Sequence, residues 1–459
     1  MSVFSLSNLK KTWYYLQKNG IRNAVWAVLE RIGQEQEVYT WQEPDEKTLS
    51  FQREHSASLR ISIVVPAYRT KKEHLEAMLN SVSRQSYPHW ELIVADAGGT
   101  AESVQAWAKK NGICLREAAD ASNLAEWKDQ SIVLCTLSEN KGISANTNAG
   151  IELAAGDAVG LLDHDDLLTA NALWEMAGCL EKEKKRGKQK LVLFSDEDKC
   201  DGAASRFYEP NFKPDFDGEL LLTNNYICHF TVIETAFLKE LKLRSGFDGA
   251  QDYDLVLRAY AAGGQFVHVP KVLYHWRCHE ASTASNPQSK RYAYEAGQRA
   301  LEDYCLRKGW KATVSGLKHL GFYREDYEDS VFCQRPEIGI WAKPLPGGRD
   351  VFGIRHPKGF LVSGLYENDG SMRYAGLRKG YSGPMHRAAL QQSAPAADLR
   401  SMEVCSALKE RYAQTIAELK EACQGLPTAA QETKILQKSM EFCKEATAAG
   451  YGILWDPQA

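Results

Sequence analysis

Several features that would narrow the chemistry are missing from this chain. Its eleven cysteines include no Cys-x-x-Cys pair. That argues against a zinc ribbon and a disulfide framework, and fits reduced thiols in a cytosol. No run of about 18 apolar residues occurs, so no membrane-spanning helix is expected. The opening MSVFSLSNLKKTWYYLQ lacks a continuous apolar core and a small-residue cleavage site, so no signal peptide is expected. Neither sign of charge dominates: 56 Lys and Arg stand against 59 Asp and Glu, a formal net charge of −3. Nucleic acid is therefore not an expected partner. Neither a P-loop nor a GxGxxG motif is present, so no glycine cradle holds a phosphate. The remaining bulk is ordinary for globular domains, with 44% hydrophobic and 25% charged residues. The length leaves room for roughly two or three domains.

What is present has a clear texture. Residues 1 to about 35 read as helix, with Leu9, Trp13, Leu16, Ile21, Val25, Val28, Leu29 and Ile32 at helical spacing. Lys10, Lys11, Lys18, Arg22 and Arg31 decorate it. Such a helix packs on the body of the protein or lies on an anionic membrane surface. Residues 40–58 are polar and read as a linker. Then strands alternate with helices: ISIVVPAY (61–68), WELIVADAGG (90–99), SIVLCTL (131–137) and DAVGLLDHDD (157–166). Each strand is nearly all apolar, the mark of a parallel sheet covered on both faces. In such sheets ligands sit at the carboxyl ends of the strands. Tyr68, Asp96, Asn140 and Asp163 to Asp165 all fall at such ends. Further on, KLVLFSDEDK and NYICHFTVIETAFLKEL each contain a strand, GAQDYDLVLRAYAAGG a helix, and QFVHVPKVLYHWRCH extended chain.

The stretch AVGLLDHDDLLT carries the chemistry. A strand runs into Asp163, His164, Asp165 and Asp166. Adjacent carboxylates repel and are costly to desolvate, so a cation is expected to neutralise them; the plain alternative is an acidic turn capping a helix. Asp-x-Asp suits Mg²⁺ or Mn²⁺, which keep waters and share a substrate diphosphate. A hydroxyl nucleophile then needs a separate base. Asp252 is placed for this at the start of a helix, where a first-turn acid favoured by the helix dipole is the alternative. His275 is either a third metal ligand or a structural histidine. Asp196 and Asp198 either contact a sugar or cap the following turn.

Taken together these stretches resemble an inverting nucleotide-sugar glycosyltransferase of family 2, with a GT-A-type α/β fold. The resemblance rests on ISIVVPAYRTKKEHLEAMLNSVSRQSYPHWELIVADAGG, NKGISANTNAGIELAAGDAVGLLDHDDLL, FSDEDK, GAQDYDLVLRA and VLYHWRCHEAST, which occur in family order over residues 60–285. The SDEDK and YHWR forms are most similar to the branch that builds bacterial surface polysaccharides such as O-antigen and rhamnose-containing chains. The resemblance implies roles. Pro66, Ala67 and Tyr68 would line the base and ribose. Asp96 would accept the pyrimidine imide N–H, favouring UDP or dTDP donors. Lys141, Gly142 and Asn146 would border nucleotide and sugar. Asp163 and Asp165 would hold ribose and metal-bound diphosphate, with His275 completing the Mn²⁺ or Mg²⁺ site. Arg277 would neutralise the leaving diphosphate, and Asp252 would deprotonate the acceptor hydroxyl. Many relatives carry Glu-Asp where this chain has Gln251-Asp252, so a like charge beside the base is missing.

The expected organisation is an N-terminal helical segment and linker (1–58), a GT-A-type domain with a mixed, mostly parallel sheet (59–320), and a C-terminal α/β region (321–459). The last resembles an incomplete second transferase domain, with Glu441 or nothing at the base position; an unrelated α/β appendage is the alternative. The expected activity is metal-dependent transfer from a nucleotide-diphosphate sugar to a growing, lipid-linked surface glycan. The setting would be cytoplasmic, at the inner face of the plasma membrane, with peripheral contact through the N-terminal helix and a homo-oligomeric state both open. A sugar-1-phosphate nucleotidyltransferase is disfavoured, because VVPAYRTKKEH has no glycine after the first strand. A catalytically silent nucleotide-sugar-binding module is the remaining alternative.

Overall fold

The computed structural model describes residues 39–119, 126–278, 291–316, 320–328, 330–342, 364–365, 402–422 and parts of 438–455. The expected N-terminal helix lies outside the described residues. The chain divides into two compact units. One comprises 38–216 and 225–304, the other 1–37, 217–224 and 305–459.

The first unit is built on a ten-stranded mixed sheet. Its amino-terminal half is the expected parallel part: β1 (Ile61–Ala67), β2 (Trp90–Asp96), β3 (Cys114–Glu117), β4 (Ser131–Thr136) and β5 (Ala158–Leu161). Val, Ile and Leu dominate these strands because both faces are covered. One apolar cluster gathers Ile63, Val65, Leu92 and Val94; a second gathers Val64, Ile93, Val133 and Val159. The register Ala67↔Asp96 and Val64↔Leu161 brings the carboxyl ends of β1, β2 and β5 to one edge. The short edge strand β3 is an addition to the expected set. It pairs parallel to β4, and its Arg116 donates to buried Glu91 at 2.8 Å.

The other half of the sheet reverses direction. Its strands are β6 (Leu167–Leu168), β7 (Leu191–Asp201), β8 (Phe207–Asn211), β9 (Thr231–Glu234) and β10 (Gln265–Cys278). The full order is β3-β4-β2-β1-β5-β9-β7-β10-β6, with β8 paired to β7. β9 runs antiparallel to both β5 and β7. β10 runs parallel to β7, and β6 pairs antiparallel to β10. The β7–β10 register sets Glu197 opposite Tyr274 and Asp198 opposite His275. Side chains alternate along a strand, so these two pairs occupy opposite faces.

The linker expected over 40–58 is in part a helix, Glu46–Glu54. Asp45 caps it by accepting the Thr48 N–H at 2.7 Å, and it buries Leu49 and Gln52. With a single apolar inward residue it has almost no hydrophobic stripe to read.

The second unit's described residues include an antiparallel pair, β11 (Ala312–Gly316) and β12 (Tyr323–Tyr327). They also include β13 (Ile338–Ala342), β14 (Gly364–Leu365), β15 (Met402–Val404) and β16 (Gly452–Trp455), which form a four-stranded sheet ordered β14-β16-β13-β15. Helices Ser406–Arg411 and Ala413–Ala422 accompany them. Glu441, the acid considered as a second base, is exposed. Most of the 360–390 stretch on which the remnant-domain resemblance rests lies outside the described residues. No described helix is long and apolar enough to cross a membrane.

Candidate active site

The rim expected from the strand ends is present. Pro66 and Ala67 end β1, Tyr68 follows half-exposed, Asp96 ends β2, and Asp163 lies two residues beyond β5.

Asp96 is engaged by its own backbone. Its carboxylate accepts the N–H groups of Gly98 (3.0 Å), Thr100 (3.2 Å) and Ala101 (2.8 Å), and it is 2% exposed. It thereby caps the helix Ala101–Asn111, whose N-cap residue Thr100 supplies no side-chain bond. The neighbouring loop is organised by amides. Asn140 Oδ1 accepts from Gly142 N–H (3.0 Å) and Asn146 Nδ2 (2.8 Å), and Asn146 Oδ1 accepts from Lys141 N–H at 3.3 Å. Gly142 sits at φ +93°, and a Cβ there would meet Asp248 Oδ2 at 2.4 Å. Lys141 is exposed, with its ammonium 3.2 Å from Glu139.

The acidic turn is held from below. Asp166 accepts the Tyr274 hydroxyl at 2.5 Å and the Arg277 N–H at 2.7 Å. Burial, then Asp165 and Asp163, push its carboxyl well up. Asp163 is pushed up by burial, with Asp165 and Asp252 adding to this and His229 opposing it. Asp252 opens the helix Gln251–Ala261 and accepts from Tyr253 N–H (2.8 Å) and Asn225 Nδ2 (3.1 Å). Burial, and then the Asp252 carboxylate beside it, push the Cys228 thiol well up. Gln251 Oε1 turns away to accept the Gly249 N–H at 2.8 Å.

Two of the expected residues have partners of their own within the fold. His275 does not join Asp163 and Asp165. Its Nδ1 lies 2.5 Å from Asp198 Oδ1, and its ring packs against Phe207 and Trp41. Tyr39 donates to the other oxygen of the same carboxylate at 2.7 Å. The β7–β10 register is the reason: His275 and Asp198 are paired on the face opposite Tyr274 and Glu197. Arg277 is 2% exposed and is spent inside the fold, with Nε on the Asp165 carbonyl and Nη1 on the Gly202 carbonyl at 2.7 Å. It ties down the acidic turn, and only its Nη2 is buried without a partner. Asp196 is likewise internal, accepting from Lys213 N–H (2.8 Å) with His268 Nε2 at 2.8 Å.

The histidine that opposes the upward push on Asp163 is His229, which sequence reasoning missed. Glu197 Oε2 accepts its backbone N–H at 2.7 Å and lies 3.1 Å from its Nδ1. Burial alone would lower the imidazole, but Glu197 and the carboxylates Asp163 and Asp166 raise it to about 9. Glu197 goes the other way, to about 2: burial opposes this, and Lys213 and His229 outweigh it. The only signal is a polar residue inside the apolar run YICHFTVI.

Among the described residues no group of three His, Cys, Asp or Glu could hold a metal by itself. Asp163 and Asp165 still suit a cation in part. Their turn gathers carboxylates whose repulsion and burial favour protonation, which a divalent ion would relieve. A Mg²⁺-type ion needs only one or two protein carboxylates when a diphosphate and waters complete its shell.

Residues 62–241 match the family model described as glycosyl transferase family 2. The chain is 34% identical over 256 residues to O-antigen biosynthesis protein RfbC of Myxococcus xanthus, covering 56% of this chain and 19% of that one. It is 36% identical over 255 residues to a protein of Sinorhizobium fredii, y4gI, covering 55% and 26%. It thus spans about a quarter or less of the length of either. Amylovoran biosynthesis glycosyltransferase AmsB of Erwinia amylovora is 28% identical, over 47% of this chain and 70% of that one. The solved structure of S. aureus TarS with UDP-GlcNAc aligns over 54% of this chain and 67% of that one, at 20% identity and a TM-score of 0.40. Residues 62–241 are thus similar to glycosyl transferase family 2, and the strand order is the mixed, mostly parallel α/β sheet expected from the sequence.

Proposed function

We propose that the chain transfers a sugar from a UDP or dTDP donor to a hydroxyl of a growing, lipid-linked bacterial surface glycan, with inversion. The observation that carries this reading is the convergence of Asp163 and Asp252. They lie 89 positions apart in sequence, yet the Asp252 carboxylate helps to raise the Asp163 carboxyl, at the rim where parallel strands end. In this mechanism Asp252 takes the proton of the acceptor hydroxyl. The hydroxyl oxygen bonds to the anomeric carbon as the bond to the departing phosphate oxygen breaks on the opposite face. Asn225 and the Tyr253 N–H each hold one oxygen of Asp252, which orients the base. Pro66, Ala67, Tyr68 and Asp96 line the nucleotide, while Lys141, Gly142 and Asn146 border the sugar. Asp163 and Asp165 are the residues that would hold Mn²⁺ or Mg²⁺, which supplies charge neutralisation to the diphosphate when bound. Residues 59–320 would form the transferase region. Residues 1–58 and 321–459 would serve membrane contact, acceptor holding or self-association. The O-antigen and amylovoran roles in the names of the relatives support the choice of acceptor.

The test is a binding and donor-hydrolysis screen of UDP-, dTDP- and GDP-sugars with Mn²⁺, Mg²⁺ or chelator, repeated on Asp252→Asn. Metal-dependent turnover of one pyrimidine nucleotide sugar is expected. The variant should lose about 10²- to 10⁴-fold of it, the usual contribution of a positioned base, with donor affinity near normal. Turnover that survives in the variant removes Asp252 from the mechanism. Donor binding without turnover in the parent would indicate a silent binding module.

A further inference from the structure

We propose that His229 is a binding residue for the nucleotide diphosphate, set in place by Glu197. The inference rests on the nucleotide-sugar reading of the site and adds a cationic protein group to it.

The imidazole is restrained by three side chains and its backbone by a fourth. Glu197 Oε2 takes its backbone N–H and faces Nδ1. Lys213, itself buried, donates its ammonium to the carbonyls of His229 and of Ile227, the latter at 2.9 Å. The ring stacks on Tyr274 with centroids 4.9 Å apart and planes 15° apart. Trp276 closes a further side at 5.9 Å. Tyr274 in turn donates to Asp166, three residues past Asp163. One stacking contact and one hydrogen bond therefore separate the ring from the Asp-x-Asp turn.

A core histidine would have both nitrogens satisfied and its ring covered. This side chain is 27% exposed, and its Nε2 makes no hydrogen bond among the described residues. A carboxylate facing Nδ1 fixes which nitrogen carries the inward proton and favours the charged ring. Glu197 also faces the buried ammonium of Lys213, which burial pushes down and Glu197 holds up, so the positive charge that Glu197 favours is drawn to His229 and Lys213 together. That charge stands next to the turn where the diphosphate is proposed to bind. An Nε2–H donated to a phosphate oxygen is a charge-assisted bond, and the charge accumulating on the leaving phosphate would strengthen it. Arg277 has Nε and Nη1 held by two carbonyls, which leaves only its buried Nη2 to add to such a contact.

The experiment measures dissociation constants for UDP, dTDP and GDP and for their nucleosides, with chelator and with Mn²⁺. It compares the parent with His229→Ala, His229→Gln and Glu197→Gln. A charge-assisted bond is worth about tenfold or more in affinity. His229→Ala should therefore weaken the preferred diphosphate about tenfold in chelator and leave its nucleoside within about twofold. Glu197→Gln should weaken the diphosphate selectively but less. If His229→Ala also loses the nucleoside, His229→Gln decides. A selective loss of the diphosphate supports the proposal; unchanged diphosphate affinity, or loss of both ligands again, overturns it. A parent that prefers no diphosphate over its nucleoside in chelator, yet does so with Mn²⁺, also overturns it while leaving the nucleotide-sugar reading intact. A parent that binds none of the three nucleotides with Mn²⁺ removes both.

Discussion

Asp96→Asn separates two uses of one carboxylate. In the structure both oxygens are occupied: Oδ1 accepts from Gly98 and Thr100, and Oδ2 from Ala101 and Thr100. A carboxylate offers about four acceptor sites, so a pyrimidine imide N–H must share what the helix cap leaves. The amide keeps one oxygen and turns the other atom into a donor facing backbone donors. Its best orientation retains Ala101 at 2.8 Å and sets –NH₂ against the Gly98 N–H. Hydrogen bonds to a charged acceptor contribute roughly 1.5–3 kcal/mol, and a neutral one about 1. Losing the Gly98 bond and the charge on the remaining ones should cost about 2–3 kcal/mol of stability. For a unit of this size that is a fall in Tm of about 4–12 °C. Thermal unfolding followed by tryptophan fluorescence reads it, with Trp90 in β2 and Trp107 in the capped helix as local reporters. Nucleoside affinity should fall together with Tm, because the loop proposed to line the base is the loop that loses its cap. A variant that melts within about 1 °C of the parent would refute the cap, and Asp96 would then be free to serve the ligand alone.

Two other predictions concern buried charge. Glu219 and Arg335, each 5% exposed, form a bidentate pair at 2.7 and 2.5 Å, with Arg335 also over the Trp310 ring at 4.8 Å. Glu219→Gln leaves the buried guanidinium only the more exposed Glu337 carboxylate, 2.9 Å from its Nε, and should cost up to about 3–5 kcal/mol, whereas Glu219→Leu with Arg335→Met should cost less; denaturation midpoints of single and double variants check the order. The His229–Glu197 pair makes stability depend on pH at both ends. Glu197 is lowered to about 2 from 4.5, so its share is present above pH 4.5 and lost as pH falls through 2. His229 is raised to about 9 from 6.5, so its share is complete below pH 6.5 and lost as pH rises through 9. Tm measured from about pH 6 to 9.5 should fall across the upper window in the parent and fall less in Glu197→Gln.

The parts of this fold legible in the sequence are those set by local pattern. ISIVVPA and WELIVAD read as buried parallel strands because nearly all of their residues are apolar with no alternation, and their ends therefore name a rim. The helix Glu46–Glu54 is illegible for the opposite reason, having only Leu49 and Gln52 to bury. The partition of FSDEDK is illegible for a third. Its acids alternate by strand geometry, so Asp196 and Asp198 go to one face and Glu197 to the other. Which face belongs to the site depends on the partner strand, β10, which lies far along the chain at Gln265–Cys278. The same register sorts the two histidines. His275 lies opposite Asp198 and is consumed there, while Tyr274, opposite Glu197, carries the ring of His229. A one-residue slip of β10 against β7 would exchange these partners and put His275 in the site. The YHWR motif names both Tyr274 and His275, and no local pattern tells which of them faces Glu197 and which Asp198. The acidic turn names the candidate site, and the pairing of two distant strands decides which imidazole is proposed to serve it.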